Sequence, residues 1–235
     1  MPRAAAHPSA HAAPTPGAAW VDRYLVPCLA EQMPTRSLAG LRVVQLDPDD
    51  AEEARRCAEL GATVTLAALD QPAFDTGAFP VLALDPNHPI PAPDAAFDLI
   101  LTGHLERLAA RWASPEALLR ECARICAPGG GMVTQISTRC PINLTGDAPL
   151  LAFPRRAPPV SLRALERAFG AATLLPVRGH FGWRSGGIAR RAIGAALDAW
   201  WRWCAAPHHP RICTSAANPV LLVWASRRTP GEARP

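Results

Sequence analysis

The stretch VVQLDPDDAEEARRCAELGATVTLAALD, Val43 to Asp70, reads as strand, turn, helix, strand. LRVVQL, residues 41–46, is an apolar, β-branched run short enough for a strand buried on both faces. From Asp50 to Leu60, Ala51, Ala54, Cys57 and Ala58 fall along one helical face, and Gly61 supplies the stop. ATVTLAAL, 62–69, is a second strand. A strand, a helix and a second strand of these lengths form a parallel βαβ unit, and the first turn of such a unit commonly holds a ligand at the helix N-terminus. Here the turn is Asp47-Pro48-Asp49-Asp50, with three carboxylates and no glycine. One reading has these carboxylates pair with a cationic ligand. The other has the helix cap itself, because Asp50 and Glu53 have capping-box spacing and Asp49, Asp50, Glu52 and Glu53 all sit at the positive end of its dipole.

The alternation continues outward from that unit. Trp20 to Met33 has the pattern of an amphipathic helix interrupted at Pro27. PVLALD, 80–85, and FDLILTG, 97–103, read as third and fourth strands. Ser114-Pro115-Glu116-Ala117 opens a helix with an N-cap and a proline at its first position, and Leu118, Leu119, Cys122, Ile125 and Cys126 form its apolar stripe. Pro128-Gly129-Gly130-Gly131 ends that helix before a fifth strand, 132–137. Residues 161–169 look helical, 173–179 read as an edge strand, and 219–226 as the last strand. Strands that alternate with helices imply an α/β, doubly wound, mainly parallel sheet whose ligands sit beyond the carboxyl ends of the strands.

The 235 residues fit one domain with a core of its own. The Ala/Pro/His-rich segment 1–17 is expected to be a disordered tail, 18–228 the domain with 141–212 as a substrate-side insertion or lid, and 229–235 a flexible end. No apolar run reaches membrane-spanning length, segment 1–17 lacks the apolar centre of a secretory signal, and a cytoplasmic location is expected. All 24 basic residues are arginine. Residues 1–138 hold 10 Arg against 16 acidic residues, a balance of −6, whereas 139–235 hold 14 Arg against 4, a balance of +10. The basic part either faces an anionic substrate, protein partner or membrane, or neutralises the acidic part. Neither a nucleic-acid motif nor a base-stacking aromatic ladder accompanies it. The seven cysteines include no CxxC pair, so neither a disulfide framework nor a metal site is expected. In the CAAPHHPRIC cluster, Cys204, His208, His209 and Cys213 could meet around a metal, but its prolines and spacing favour a surface loop.

IPAPDAAFDLILTGHLERL, 90–108, followed by SPEALLRECARICAPGGGMVTQIS, 114–137, resembles the class I S-adenosylmethionine-dependent methyltransferases, in particular the small-molecule type 11 group. The acidic-Phe-Asp strand, the helix with its LLRE-R pattern and the Pro-Gly-Gly turn into the fifth strand carry the likeness. It implies a Rossmann-like sheet of seven strands with an antiparallel last strand. It further implies S-adenosylmethionine as cofactor and transfer of a methyl group to a small-molecule acceptor. The implied cofactor-binding positions are Asp47 and Asp49 in the first turn, Asp70 after the second strand, Asp85 and Pro86 after the third, and Thr102 and Gly103 after the fourth. The position that would contact the ribose is Ala68, and every glycine of the family's first loop is absent. A protein that keeps this fold as a binding or scaffolding partner is the alternative.

His104, just beyond the fourth strand, is the candidate general base or polar contact, set against a solvated loop histidine. His180 is read as loop packing. Methyl transfer needs no nucleophile-base pair, because it depends on holding the sulfonium in line with the acceptor. The Trp/Arg-rich segment 188–204 is read as a lid helix, with peripheral membrane contact as the other reading.

Overall fold

The computed structural model describes residues 16–33, 37–103, 105–137, 160–174 and 220–227, together with a few isolated positions. The chain opens with α1 (Pro16–Trp20), passes through a π-helical turn (Val21–Leu25) and continues as α2 (Val26–Gln32). Helix therefore begins at Pro16, two residues inside the segment expected to be a tail. Pro27 does not interrupt it. It lies in the first turn of α2, where its missing N–H matters least, and the π-turn before it absorbs the change of register.

The βαβ unit follows as β1 (Arg42–Leu46), α3 (Glu52–Glu59) and β2 (Thr63–Ala68). Then come β3 (Val81–Ala83), β4 (Phe97–Thr102), α4 (Leu105–Arg111), α5 (Pro115–Ile125) and β5 (Cys126–Ser137). Finally α6 (Leu162–Phe169) leads directly into β6 (Gly170–Leu174), and β7 (Val220–Arg227) is the last strand described.

The seven strands lie in the order β3-β2-β1-β4-β5-β7-β6. The first five are parallel, and β7 runs antiparallel between β5 and β6. The chain moves outward from β1 to β3 and then restarts on the other side of β1 with β4. That reversal opens a crevice at the carboxyl ends of β1 and β4. Alternate residues of each strand feed two cores. Val44, Leu46 and Ile100 join α4, α5 and α6 on one face, while Val43, Leu99 and Leu101 join α1 through α3 on the other. Burial on both faces is why the central strands read as unbroken apolar runs.

The motifs of the fourth-strand region are structural staples. Asp98 accepts hydrogen bonds from the backbone N–H, Nε and Nη2 of Arg42 at 2.9, 3.0 and 2.7 Å, tying β4 to β1 at the edge opposite the crevice. Arg42 holds the Asp98 carboxyl below its ordinary range. In the LLRE-R pattern, Arg124 donates to the carbonyls of Ile90 and Ala92, both at 2.8 Å, and Glu121 accepts from the Ile90 N–H at 2.9 Å. The pair thereby pins the loop entering β4. Ser114 caps α5 as expected, accepting from the Ala117 N–H at 3.1 Å.

The Pro-Gly-Gly turn differs from expectation. Strand β5 begins at Cys126, and the Pro128–Gly130 run is a bulge within it, where the register with β4 jumps from Phe97↔Cys126 to Leu99↔Gly131.

Candidate functional site

The crevice is bordered by the turn after β1, the ends of β2 and β4, and α4. Asp47 leaves β1 with φ 49°, in the left-handed region where glycine is usual and Asp is among the better-tolerated alternatives. Its backbone N–H bonds the Ala67 carbonyl at 2.7 Å, so the turn is continuous with the β1–β2 ladder.

The side chains of this turn are held by α4. Arg107 donates from Nε to the Asp47 carboxylate at 2.9 Å, from Nη2 to the Asp47 carbonyl at 2.9 Å, and from Nη1 to the Asp49 carboxylate at 2.8 Å. One turn further along the helix, Arg111 grips Asp70 through two parallel bonds of 2.5 and 3.1 Å, which hold the Asp70 carboxyl below its usual range. The i, i+4 spacing puts both guanidinium groups on one side of α4. They stitch the helix to the ends of β1 and β2 across the mouth of the crevice. Asp47 is the more enclosed member of the first pair, with 13% of its side chain exposed against 45% for Arg107.

The capping box expected between Asp50 and Glu53 does not form. Ala51 holds the N-cap position, and Asp50 Oδ1 accepts the Glu52 N–H at 2.8 Å in a turn before the helix. Glu53 points back toward the sheet, where its carboxylate accepts from Gln45 Nε2 at 2.8 Å. Burial, followed by the repulsion of Asp50, pushes the Glu53 carboxyl up to about 7. Glu52 turns the other way and accepts the Gly17 N–H of α1 at 3.1 Å. The first turn of α3 is thus covered by α1 on one side and faces carboxylates on the other.

The remaining predicted positions are scattered. Ala68 ends β2 as a buried aliphatic residue. Asp85 is exposed and closes its own turn, accepting from the Asn87 N–H at 2.9 Å and lying 2.6 Å from His88 Nδ1, with Pro86 between them. Thr102 is 3% exposed at the end of β4, beside Thr134 in register, and its hydroxyl has no hydrogen-bond partner. Gly103 follows, and a Cβ added there would meet nothing within 4 Å. The structure therefore brings Asp47, Asp49 and Asp70 together through α4, and leaves Asp85 and Pro86 apart in a separate turn. His104, His180, the Cys204–Cys213 cluster and nearly all of 188–204 lie outside the described residues. No group of three or more His, Cys, Asp or Glu side chains suited to a metal occurs among the described residues. No described helix is long and apolar enough to cross a membrane.

Helix α4 and its two arginines were missed by the reading of the sequence. The signal was present: Leu105, Leu108, Ala109 and Trp112 are buried and follow i, i+3, i+4, i+7 spacing. A helix of seven residues between a strand and the Ser114 cap is too short for its period to stand out from a connection.

Residues 30–134 match a family model described as a methyltransferase domain. Among solved structures, the chain is similar to an S-adenosylmethionine-dependent methyltransferase from Mesorhizobium loti. The two share 19% identity over 89% of this chain and 98% of that one, with a TM-score of 0.51. It is also similar to a SAM-dependent methyltransferase from Archaeoglobus fulgidus, at 15% identity over 85% and 92% of the two chains, with a TM-score of 0.50. No curated protein sequence matches the chain.

Proposed function

We propose that the chain, whose residues 30–134 match a methyltransferase-domain model and whose sheet has the order of the methyltransferase fold, is a methyltransferase-like binding module whose cofactor edge is held shut by its own ion pairs. The observation that carries this reading is Arg107, which spends three donors on Asp47 and Asp49 in the turn where the family's glycines would let backbone meet ligand. S-adenosylmethionine does not fit the residues present. Carboxylate side chains fill the turn and oppose the cofactor's own carboxylate, Ala68 offers no acceptor to a ribose, and Asp70 is already engaged by Arg111. In this reading the fold serves as a scaffold, and the Arg-rich part from residue 139 onward supplies the contact with an anionic protein partner in the cytoplasm.

A second reading, methyl transfer to a small-molecule acceptor with an altered loop, draws on the Thr102 hydroxyl, buried and unpartnered at the end of β4. A ligand group arriving there would satisfy it. S-adenosylmethionine also carries net positive charge, so its cations would compete with Arg107 for Asp47 and Asp49.

Calorimetric titration of the full chain with S-adenosylmethionine and with its demethylated product separates the two. The binding-module reading expects no saturable heat at millimolar ligand. Micromolar affinity for either compound sinks it in favour of the enzyme.

A further inference from the structure

Independently of how the crevice is used, the contact between α1 and the first turn of α3 has the construction of a switch. Gly17 sits directly on that turn. A Cβ added to it would lie 2.8 Å from Glu52 Cβ and 3.2 Å from Glu53 Cγ, and its N–H donates to the Glu52 carboxylate. Glu53 therefore lies beneath α1, between that helix and β1, with the Gln45 amide as its hydrogen-bond donor. The Gln45 Oε1 atom on the same amide is buried without a partner, as is Trp20 Nε1, one helical turn after Gly17. This side of α1 thus covers polar groups as well as the apolar core.

The charges nearest Glu53 are mainly acidic. Asp50 and Glu52 come from the turn and from α3 itself, and Asp49, also in the turn, is paired with Arg107 of α4. Cys57, a turn further along α3, is buried, and β1 offers only the neutral Gln45. Helix α1 carries neither acid nor base. The adjoining π-turn contributes Asp22, which is paired with Arg56 at 2.9 Å. The positive end of the α3 dipole favours an ionised Glu53, but the enclosure and the neighbouring carboxylates outweigh it.

We propose that α1 is a pH-gated clasp, seated on α3 while Glu53 is neutral and lifting from it when Glu53 ionises. With α1 lifted, the carboxylate is hydrated and regains an ordinary affinity for its proton. The seated form holds the proton up to about 7, against an ordinary 4.5. Linkage between those two values makes the lifted state about tenfold more populated, relative to the seated state, at pH 8 than at pH 6.

Hydrogen exchange followed by mass spectrometry on the full chain tests this, with rates corrected for the intrinsic pH dependence of amide exchange. Amides of 17–25 should lose about tenfold in protection from pH 6 to pH 8, while those of β1 and β4 keep theirs. Glu53→Gln should hold the pH 6 protection at both values, and Gly17→Ala, whose methyl collides with Glu52, should be unprotected at both. Equal protection of 17–25 at the two pH values in the unaltered protein overturns the proposal. A Glu53→Gln protein that is folded by circular dichroism yet keeps the pH dependence overturns it too.

Discussion

At the scale of single residues, a tight turn without glycine is held by other means. Asp47 adopts the left-handed backbone in which glycine is usual, and Arg107 binds both its carboxylate and its carbonyl. An exposed ion pair is worth roughly 0–1 kcal/mol. Arg107 combines two such pairs with a carbonyl contact against a largely enclosed Asp47, so Arg107→Ala should cost about 1 kcal/mol. That corresponds to a drop of about 2–4 °C in Tm for a chain of this size, read by a thermal melt. Glu53 gives stability an unusual pH dependence. Its carboxyl is raised on folding, so its contribution is complete below about 4.5 and is lost as pH rises through about 7. Asp50 acts twice: it accepts the Glu52 N–H and it repels an ionised Glu53. Asp50→Ala should therefore destabilise the protein by about 1 kcal/mol at pH 5, where Glu53 is neutral and only the lost acceptor counts. At pH 8, relief of the repulsion offsets part of that loss. Melts at the two pH values check the sign, and an equal loss at both would show that the two carboxylates do not interact.

At the scale of elements, β5 carries the tightest constraint. Its glycines let β4 and β7 approach: a Cβ on Gly130 would stand 2.4 Å from the Asp98 carbonyl, and one on Gly131 2.4 Å from Cζ2 of the buried Trp224. Gly131→Ala must displace that ring in a packed core, at about 1–3 kcal/mol. Urea unfolding should show the loss, and near-ultraviolet circular dichroism should show an altered Trp224 environment. Unchanged values in both would mean that β7 does not pack here as described. The same element shows what local pattern can and cannot convey. Pro-Gly-Gly-Gly reads as a loop because its residue types favour turns, whereas here the strand tolerates them as a bulge stabilised by its neighbours on either side. The Ser114 cap was legible because a cap is decided within four residues. The Asp50–Glu53 box has the same local spacing but fails, because Gln45 on the sheet offers Glu53 a partner that no local pattern contains.

At the scale of the whole molecule, the alternation of apolar runs with helical periods made the doubly wound sheet legible, and the turn after β1 was legible as acidic and free of glycine. What holds that turn was not legible, because Arg107 and Asp47 lie 60 positions apart and meet only once β4 is placed beside β1. The same long-range pairing bears on the charge asymmetry. Arg42–Asp98, Arg56–Asp22, Arg56–Glu59, Arg107–Asp47, Arg107–Asp49, Arg111–Asp70, Arg124–Asp94 and Arg124–Glu121 all pair an acid with an arginine from residues 1–138. The acidic part thus supplies much of its own neutralisation. Arg227, from the basic part, spends its donors on the carbonyls of Arg124 and Cys126 instead. With 16 acidic residues against 10 Arg, residues 1–138 still keep a balance of −6, so the +10 beyond residue 138 meets that excess as well as the external anion of the binding-module reading. The full chain should be retained on an immobilised polyanion such as heparin at pH 8 and physiological salt, more firmly than a formal charge of +4 spread evenly would allow. Changing Arg190, Arg191 and Arg202 together to Gln should lower the salt needed for elution without lowering Tm. If Tm falls and elution stays put, those arginines serve the fold's own acids, and the basic part is not a docking surface.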